Sequence, residues 1–178
     1  MDMRIERTRK NIINAFLQLR SQKPLEKITV KELAALAEIN KATFYLHFHD
    51  IYDLSEQLEN EIVQSTLHGI EHPELIFKDN PVFMRELTEA FISNERLINI
   101  LFEGNRSSCF ITLFETELKK LIRNVHPEYV ENLQKNVALT YLIYGGYYTY
   151  FKYNRYRTDA VFDLIGKLSN EIVKLYEE

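Results

Sequence analysis

Apolar residues recur at helical spacing along nearly the whole chain, and strand-like alternation of apolar and polar residues is rare. Only five Gly and four Pro occur in 178 residues, so few positions interrupt this pattern. The sequence therefore predicts an all-α fold of about nine helices. From the caps and breakers, we expect these helices at about 4–21, 30–37, 41–47, 51–67, 80–92, 94–102, 107–124, 127–154 and 159–176.

Residues 28–49 contain two short helical patterns separated by a tight turn. Thr29 is a favourable N-cap for the first helix, and Glu32 follows three positions later, as in a capping box. Leu33 and Leu36 then fall on one face, which we expect to be buried. Two short helices joined in this way are typical of a helix-turn-helix unit.

The second short helix carries most of the candidate chemistry. Asn40 can cap it, and Phe44 and Phe48 lie four positions apart, so both rings can anchor the helix inward. The outward positions combine a cation, two hydroxyls, a methyl group and an imidazole, with no carboxylate. Such a face suits the DNA major groove, while a cation and a helix N-terminus suit phosphate. The predicted DNA-binding residues are Thr29, Lys31, Asn40, Lys41, Ala42, Thr43, Tyr45 and His47.

These residues carry a family resemblance. The run at 43–48 reads Thr-Phe-Tyr-x-His-Phe, and the run at 28–34 reads Ile-Thr-Val-x-x-Leu-Ala. With residues 8–16 before them, they resemble the N-terminal domain of TetR-family transcriptional regulators. The resemblance implies a three-helix DNA-binding domain over 1–50 and a helical effector-binding and dimerisation domain over 51–178.

One residue departs from the family pattern. The family usually has Gly in the turn between the two motif helices, whereas this chain has Glu38. A residue with a Cβ enters the left-handed backbone conformation at a higher energetic cost than Gly does. The turn is therefore the place where the local geometry is expected to be strained.

Charge is distributed unevenly along the chain. Residues 1–50 hold nine Lys or Arg and six Asp or Glu, a balance of +3, whereas the whole chain carries −4. This asymmetry favours phosphate binding at the N-terminal end. No apolar run approaches the roughly 20 residues of a membrane span, so we expect a cytoplasmic protein without membrane contact. The single Cys109 excludes an intrachain disulfide and is interpreted as a packed helical residue.

Aromatic residues concentrate in the C-terminal part, and two interpretations of them stay open. Gly145 and Gly146 interrupt an aromatic helix at a cost of roughly 1 kcal/mol each, which suggests close approach by another helix or a ligand. The predicted ligand pocket is lined by Phe91, Phe102, Phe110, Phe114, Tyr141, Tyr144 and Tyr148. The predicted dimer interface, a four-helix bundle made with a symmetry mate, uses Tyr147, Phe151, Val161, Leu164, Ile165, Leu168 and Ile172.

Metal and catalytic chemistry find little support. His47 and His49 beside Asp50 are suitable ligand types, but residues two apart on a helix point in different directions. The chain also lacks a Gly-rich phosphate loop and a nucleophile motif. We therefore expect no metal, no cofactor and no enzyme activity.

The leading hypothesis is a homodimeric regulator that binds a pseudo-palindromic operator in double-stranded DNA. The resemblance favours a repressor released by a hydrophobic or aromatic small molecule. A helical adaptor that acts through protein contacts is the alternative. Residues 101–105 and the helix containing Gly145 and Gly146 also look loosely like a subgroup that includes an activator of dihydroxyacetone-kinase genes.

Overall fold

The computed structural model describes residues 3–129, 131–153 and 158–174. Over these residues the chain forms eight α-helices and no strand, which confirms the all-α prediction. The helices are α1 (Met3–Arg20), α2 (Val30–Leu36), α3 (Lys41–Tyr45), α4 (Ile51–His68), α5 (Asn80–Leu101), α6 (Ser107–Val125), α7 (Leu133–Tyr153) and α8 (Thr158–Lys174).

Helix α5 replaces two predicted helices, which explains why the prediction of about nine is one too many. A new helix was expected to begin at Asn94, but α5 continues through that position. The Asn94 side-chain amide donates a hydrogen bond to the carbonyl oxygen of Ala90, one turn earlier, at 3.0 Å. The predicted boundary is wrong because an Asn side chain can bond within a continuous helix as well as cap a new one.

The start of α7 also differs from the prediction. Pro127–Tyr129 forms a single turn of 3-10 helix, and α7 begins only at Leu133. Asn132 precedes it and accepts a hydrogen bond from the backbone N–H three residues later at 3.0 Å, as an N-cap does. The predicted helix ends at residues 154 and 176 lie outside the described residues.

The chain divides into two compact units. The first unit comprises Met1–Ile62 and Arg96–Ser107, and the second comprises Val63–Glu95 and Ser108–Glu178. The first unit therefore contains α1, α2, α3 and most of α4, together with a segment that comes from later in the chain. The functional boundary at residue 50 stays a prediction, because a division by compactness does not test it.

The first unit has an apolar core that holds its two short helices in place. Ile12, Phe16, Leu33, Phe44 and Leu54 are fully buried there. Helix α1 packs against α2, and α2 packs against α3. Burying one such side chain contributes roughly 1.5–3 kcal/mol, so the core rather than helix propensity stabilises helices as short as these.

Charged groups are also buried in the first unit. The Arg20 guanidinium, 2% exposed, donates a hydrogen bond to the carbonyl oxygen of Glu103 at 3.0 Å. Glu59, also 2% exposed, forms an ion pair with Arg106 and accepts a hydrogen bond from the Ser55 hydroxyl at 2.8 Å. These directional bonds attach residues 96–107 to the N-terminal helices.

The second unit is built around aromatic side chains. Phe83 and Phe110 are buried, and α7 packs against α8. The Phe110 ring stacks on Phe114 and on Tyr147, each with centroids 5.5 Å apart. Aromatic pairs in such arrangements contribute about 0.5–1.5 kcal/mol beyond the burial of their surface.

Candidate functional site

The first motif helix begins at the predicted cap. The Thr29 hydroxyl accepts a hydrogen bond from the backbone N–H of Glu32 at 3.3 Å, which confirms the N-cap. The Glu32 carboxylate does not complete the capping box, because it pairs with the Lys23 ammonium. Only half of the capping box is therefore formed. Leu36, at the C-terminal end of this short helix, is 40% exposed instead of buried.

The turn between α2 and α3 contains the strained residue that the sequence indicates. Glu38 has a φ of 56°, in the left-handed region. The backbone N–H of the next residue, Ile39, donates to the carbonyl oxygen of Ala34 at 3.0 Å, which closes the end of α2. Helices commonly end on one left-handed residue, usually Gly. Glu38 adopts this geometry at a cost of order 1 kcal/mol.

Helix α3 is capped at one end and anchored beneath. The Asn40 side-chain oxygen accepts hydrogen bonds from the Thr43 backbone N–H at 2.8 Å and from the Thr43 hydroxyl at 3.0 Å. Phe44 and Phe48 are both buried, with ring centroids 5.8 Å apart. The predicted cap and the predicted inward anchors are therefore confirmed.

The remaining positions of α3 form a face open to solvent. Lys41 and Ala42 are exposed, Thr43 and His47 are half-buried, and Tyr45 is 56% exposed. Thr29 and Lys31, at the start of α2, are exposed as well. Helix α3 contributes one cation, two hydroxyls and no carboxylate. We define the α3 face as this set of residues: Thr29, Lys31, Asn40, Lys41, Ala42, Thr43, Tyr45 and His47. Their contacts with DNA stay a prediction.

Leu46 belongs to the same surface, although the sequence interpretation missed it. Its side chain is 84% exposed, next to Tyr45. The available signal was spacing, because Leu46 lies four positions after the exposed Ala42. An apolar side chain here can contact a thymine methyl group or the apolar part of a sugar.

The N-terminus of α4 follows directly and uses its carboxylates as caps. Asp50 accepts a hydrogen bond from the backbone N–H of Asp53 at 2.8 Å, and Asp53 accepts one from the N–H of His49 at 2.8 Å. The Gln57 side chain and the His49 N–H lower the pKa of Asp53, because both bond to its charged form. These two carboxylates are therefore occupied in stabilising the helix end.

A cavity of about 240 Å³ lies within the second unit, lined from α5, α6, α7 and α8. Four predicted pocket residues line it: Phe91, Phe110, Phe114 and Tyr141. Five residues predicted for the dimer interface line it as well: Tyr147, Phe151, Ile165, Leu168 and Ile172. A helix that is aromatic on all sides presents rings to the cavity and to solvent at once, so spacing could not separate these two sets.

Three predicted pocket residues are absent from the cavity wall. Phe102 is buried in the first unit, beyond the end of α5. Tyr144 bonds instead to the Glu115 carboxylate, which raises the pKa of Tyr144. Tyr148 is 57% exposed on the outer side of α7. The spacing of aromatic residues identified the helix but not which of its rings face inward.

The cavity wall is uncharged. None of the described residues that line it is Asp, Glu, Lys, Arg or His. The Tyr150 hydroxyl donates a hydrogen bond to Glu95, whose carboxylate lies outside the wall. Burial raises the pKa of Tyr147 to about 12 and raises that of Tyr150 as well, so both phenols are neutral at physiological pH.

An apolar surface extends over the outer sides of α7 and α8. We define it as the outer face, made of Leu133, Val137, Tyr141, Tyr148, Leu164 and Leu168, all more than half exposed. Leu164 and Leu168 are the predicted interface residues that are most exposed, while Val161 is half-buried beside them. Among the described residues, an added Cβ on Gly145 meets nothing within 4 Å, whereas one on Gly146 would lie 3.5 Å from Ile165 Cγ2 of α8, so the close approach expected at this pair is present at Gly146 only.

The described part of the chain contains neither a membrane-spanning helix nor a metal-binding cluster. None of its helices combines the length and apolar character that crossing a membrane requires. Across the same residues, no three side chains of His, Cys, Asp or Glu lie together in a way that could hold a metal ion.

Comparison with known proteins agrees with the geometry of the N-terminal helices. Residues 12–58 match the family model described as bacterial regulatory proteins, tetR family. This match runs from within α1, through α2 and α3, into α4. No curated protein matches the chain. The capped and anchored α3, its open polar face and the match over 12–58 support a DNA-binding domain of the tetR type in this N-terminal part of the chain.

Proposed function

We propose that the protein is a homodimeric transcriptional repressor that binds a pseudo-palindromic operator and is released by a hydrophobic or aromatic small molecule. The observation that carries the proposal is the α3 face. Its polar groups point outward from a short helix whose two Phe side chains are buried beneath it. A helix held in this way can enter the DNA major groove without reorganising first.

Each residue of the α3 face has a role in this proposal. Lys41 contacts a phosphate or a guanine edge, and Thr43 and Tyr45 contact phosphates or base edges. Ala42 offers its methyl group to a thymine, and His47 contacts a phosphate. Thr29, Lys31 and Asn40 fix the DNA backbone where α2 and α3 begin.

Dimerisation is proposed through the outer face of α7 and α8. Six large apolar side chains are exposed there, and a contiguous patch of this kind commonly marks a protein interface. Burial of this face against its symmetry mate would form the predicted four-helix bundle. A two-fold dimer would present the α3 face twice, which is why a pseudo-palindromic operator is expected.

Ligand release is proposed through the same pair of helices. Tyr141 and Leu168 belong to the outer face and also line the cavity. A ligand in the cavity would therefore press on residues that form the proposed dimer contact. A change in that contact would alter the spacing of the two α3 faces and shift the population away from the form that fits DNA.

The proposed place of action is the bacterial cytoplasm, where chromosomal DNA lies. No catalytic role is part of the proposal, and the matched family consists of regulators. A helical adaptor would keep the dimer and lose DNA binding, so the experiments below distinguish the two.

The DNA-binding test is selection from a random duplex pool, followed by fluorescence anisotropy at several salt concentrations. We expect a selected sequence with dyad symmetry and an affinity that falls with salt, by a log–log slope of about 0.9 for each neutralised phosphate. Lys41→Ala should reduce the slope if Lys41 contacts phosphate. If Lys41 reads guanine, sequence preference should instead relax by about 1–3 kcal/mol per half-site.

Lys167→Ala is the matched control, because Lys167 is an exposed lysine of α8, far along the chain from the α3 face. Tyr45→Phe keeps the ring and removes the hydroxyl, so it separates a polar contact from packing. Folded, dimeric protein that selects no duplex at low salt would contradict the regulator proposal and favour the adaptor.

The dimer test is sedimentation at micromolar concentration. The wild-type protein should have the mass of two chains, and Leu164→Asp combined with Leu168→Asp should yield a folded monomer. Leu46→Asp places a charge on an even more exposed Leu, beside Tyr45 at the end of α3, and it should leave the mass unchanged. A monomeric wild-type protein would contradict both the interface and the symmetric operator.

A further inference from the structure

The cavity of the second unit has one polar end, and Asn80 is the first indication of it. Asn80 lines the cavity and is 3% exposed. The sequence indicates an N-cap role for its side chain, but Asp79 fills that role by accepting from the Val82 backbone N–H at 3.4 Å. The Asn80 side-chain amide donates to the carbonyl oxygen of Ile76 at 3.1 Å.

The Asn80 side-chain oxygen is left without a hydrogen-bond partner among the described residues. A buried polar atom that forms no hydrogen bond costs about 1–3 kcal/mol. Native proteins carry few such atoms, and at a cavity wall a molecule inside the cavity can supply the missing hydrogen bond. The missing partner must be a hydrogen-bond donor, because the atom is an acceptor only.

The packing of α5 against α8 places a second polar side chain at the same end. The rings of Phe91 and Phe162 lie 6.2 Å apart, and the Met84 Cβ is 3.8 Å from where a Cβ on Gly166 would lie. From Phe91 to Met84 the residue numbers on α5 fall, while those of the contacted residues on α8 rise. The two helices are therefore antiparallel. One further turn on each helix leads from Met84 to Asn80 and from Gly166 to Ser169.

Ser169 lines the cavity and is 2% exposed. Asn80 and Ser169 therefore form a polar end, which contrasts with the aromatic end around Phe91 and Phe162. The aromatic end also contains Tyr150, whose ring lies 4.7 Å from that of Phe162 and 5.1 Å from that of Phe91.

We infer that this cavity binds an uncharged, mainly aromatic molecule of about two rings whose hydrogen-bond donor meets Asn80 and Ser169. The size follows from the volume of about 240 Å³, because an engineered apolar cavity of about 150 Å³ accepts benzene. The lack of charge follows from the wall, because a charge buried without a partner is strongly unfavourable. This inference rests on the proposed ligand control and specifies the chemistry of that ligand.

The test uses three probes of similar shape and isothermal titration calorimetry on the full chain without DNA. 1-Naphthol has an aromatic body and a hydroxyl donor, 1-methylnaphthalene has no donor, and 1-naphthoate is charged. We expect 1-naphthol to bind at least tenfold more tightly than either of the other two. Equal or tighter binding of 1-methylnaphthalene or 1-naphthoate would overturn the inference, and so would failure of all three to bind.

Variants then assign the preference to the polar end. Asn80→Leu should abolish the tenfold preference for 1-naphthol over 1-methylnaphthalene while 1-methylnaphthalene still binds, and Ser169→Ala should reduce it. Asn94→Leu makes the same substitution on the same helix away from the cavity, and it should preserve the preference. A preference that survives both Asn80→Leu and Ser169→Ala would overturn the role of the polar end.

The wild-type comparison of probes keeps the inference testable if Asn80→Leu fails to fold. The assay is also independent of the proposed function, because it contains no DNA. If 1-naphthol binds as expected but leaves DNA affinity unchanged, ligand release fails and the ligand class stands. If DNA binding responds to other molecules while 1-naphthol does not bind, the ligand class fails and the regulator stands.

Discussion

The two compact units use polar groups in different ways. The first unit buries charged side chains, Arg20 and Glu59, and bonds them to carbonyl oxygens, a hydroxyl and an ion-pair partner, although the Arg20 Nε itself has no hydrogen-bond partner among the described residues. The second unit surrounds a cavity with uncharged, mainly aromatic side chains and leaves an Asn80 oxygen without a partner. Directional bonds of the first kind hold one geometry, whereas apolar packing around a cavity can adjust to a guest.

This difference fits the two tasks proposed for the units. A surface that reads DNA must keep its side chains in one arrangement, because an ångström of displacement removes a hydrogen bond. A ligand site needs unfilled volume, and unfilled volume lowers stability. We therefore expect the first unit to depend on a few specific partners and the second to depend on close packing away from its cavity.

The largest expected effect is on the buried ion pair of the first unit. Glu59→Ala removes the carboxylate that faces Arg106, and it should lower the free energy of unfolding by about 3–5 kcal/mol. Glu61→Ala is the matched control on the same helix, because it breaks the exposed Arg9–Glu61 pair and should cost less than about 1 kcal/mol. Urea unfolding monitored by circular dichroism measures both, and equal losses would contradict the comparison.

In the second unit, one glycine marks close packing and another marks open space. A Cβ on Gly69 would lie 2.7 Å from the Ala90 Cβ, so Gly69→Ala should destabilise the protein by about 1–3 kcal/mol. The same substitution at Gly145 meets nothing within 4 Å and should stabilise α7 by up to about 1 kcal/mol. Thermal unfolding of both variants distinguishes the two sites.

The Gly145 result also bears on the dimer. Stabilisation without any change in self-association would mean that no second protomer packs closely on this part of α7. Weaker self-association of Gly145→Ala, measured by sedimentation, would place Gly145 in the interface. A stable Gly69→Ala variant would contradict the close packing between Gly69 and Ala90.

A smaller effect is expected at the cap of α3. Asn40→Ala removes the oxygen that accepts two hydrogen bonds from Thr43, and it should cost about 1 kcal/mol of stability. Asn40→Asp keeps a capping oxygen and should retain most of that stability. Chemical denaturation measures the cap, and DNA affinity measured in parallel shows whether Asn40 also contacts the operator. Equal destabilisation by Ala and Asp would contradict the cap assignment.

The smallest effect is expected in the strained turn. Glu38→Gly should raise stability by less than about 1 kcal/mol, because relief of the left-handed backbone is partly offset by the greater freedom of Gly in the unfolded chain. Glu38→Ala keeps a Cβ and should bring no comparable gain. A similar gain from both variants would assign the effect to the Glu side chain instead of the backbone.

The DNA-binding helices were largely predictable from the sequence, whereas the cavity was not. Thr29, Asn40 and Asp50 each cap a helix through a backbone N–H three residues later, and Phe44 and Phe48 anchor α3 four positions apart. Such interactions join neighbours in the chain, so residue type and spacing are enough to indicate them. The left-handed backbone at Glu38 lies where the family pattern has Gly, so the resemblance, and not spacing along the helix, drew attention to this turn.

Only the tertiary structure decided the rest. Asn94 continues a helix, Asp79 caps α5 in place of Asn80, and Tyr144 turns from the cavity towards Glu115. Each of these side chains had more than one acceptable role, and residue type and spacing alone did not indicate which one it takes. Arg20 shows the limit most clearly, because its hydrogen-bond partner Glu103 lies 83 positions away in the chain. Spacing along a helix cannot indicate a contact of that kind.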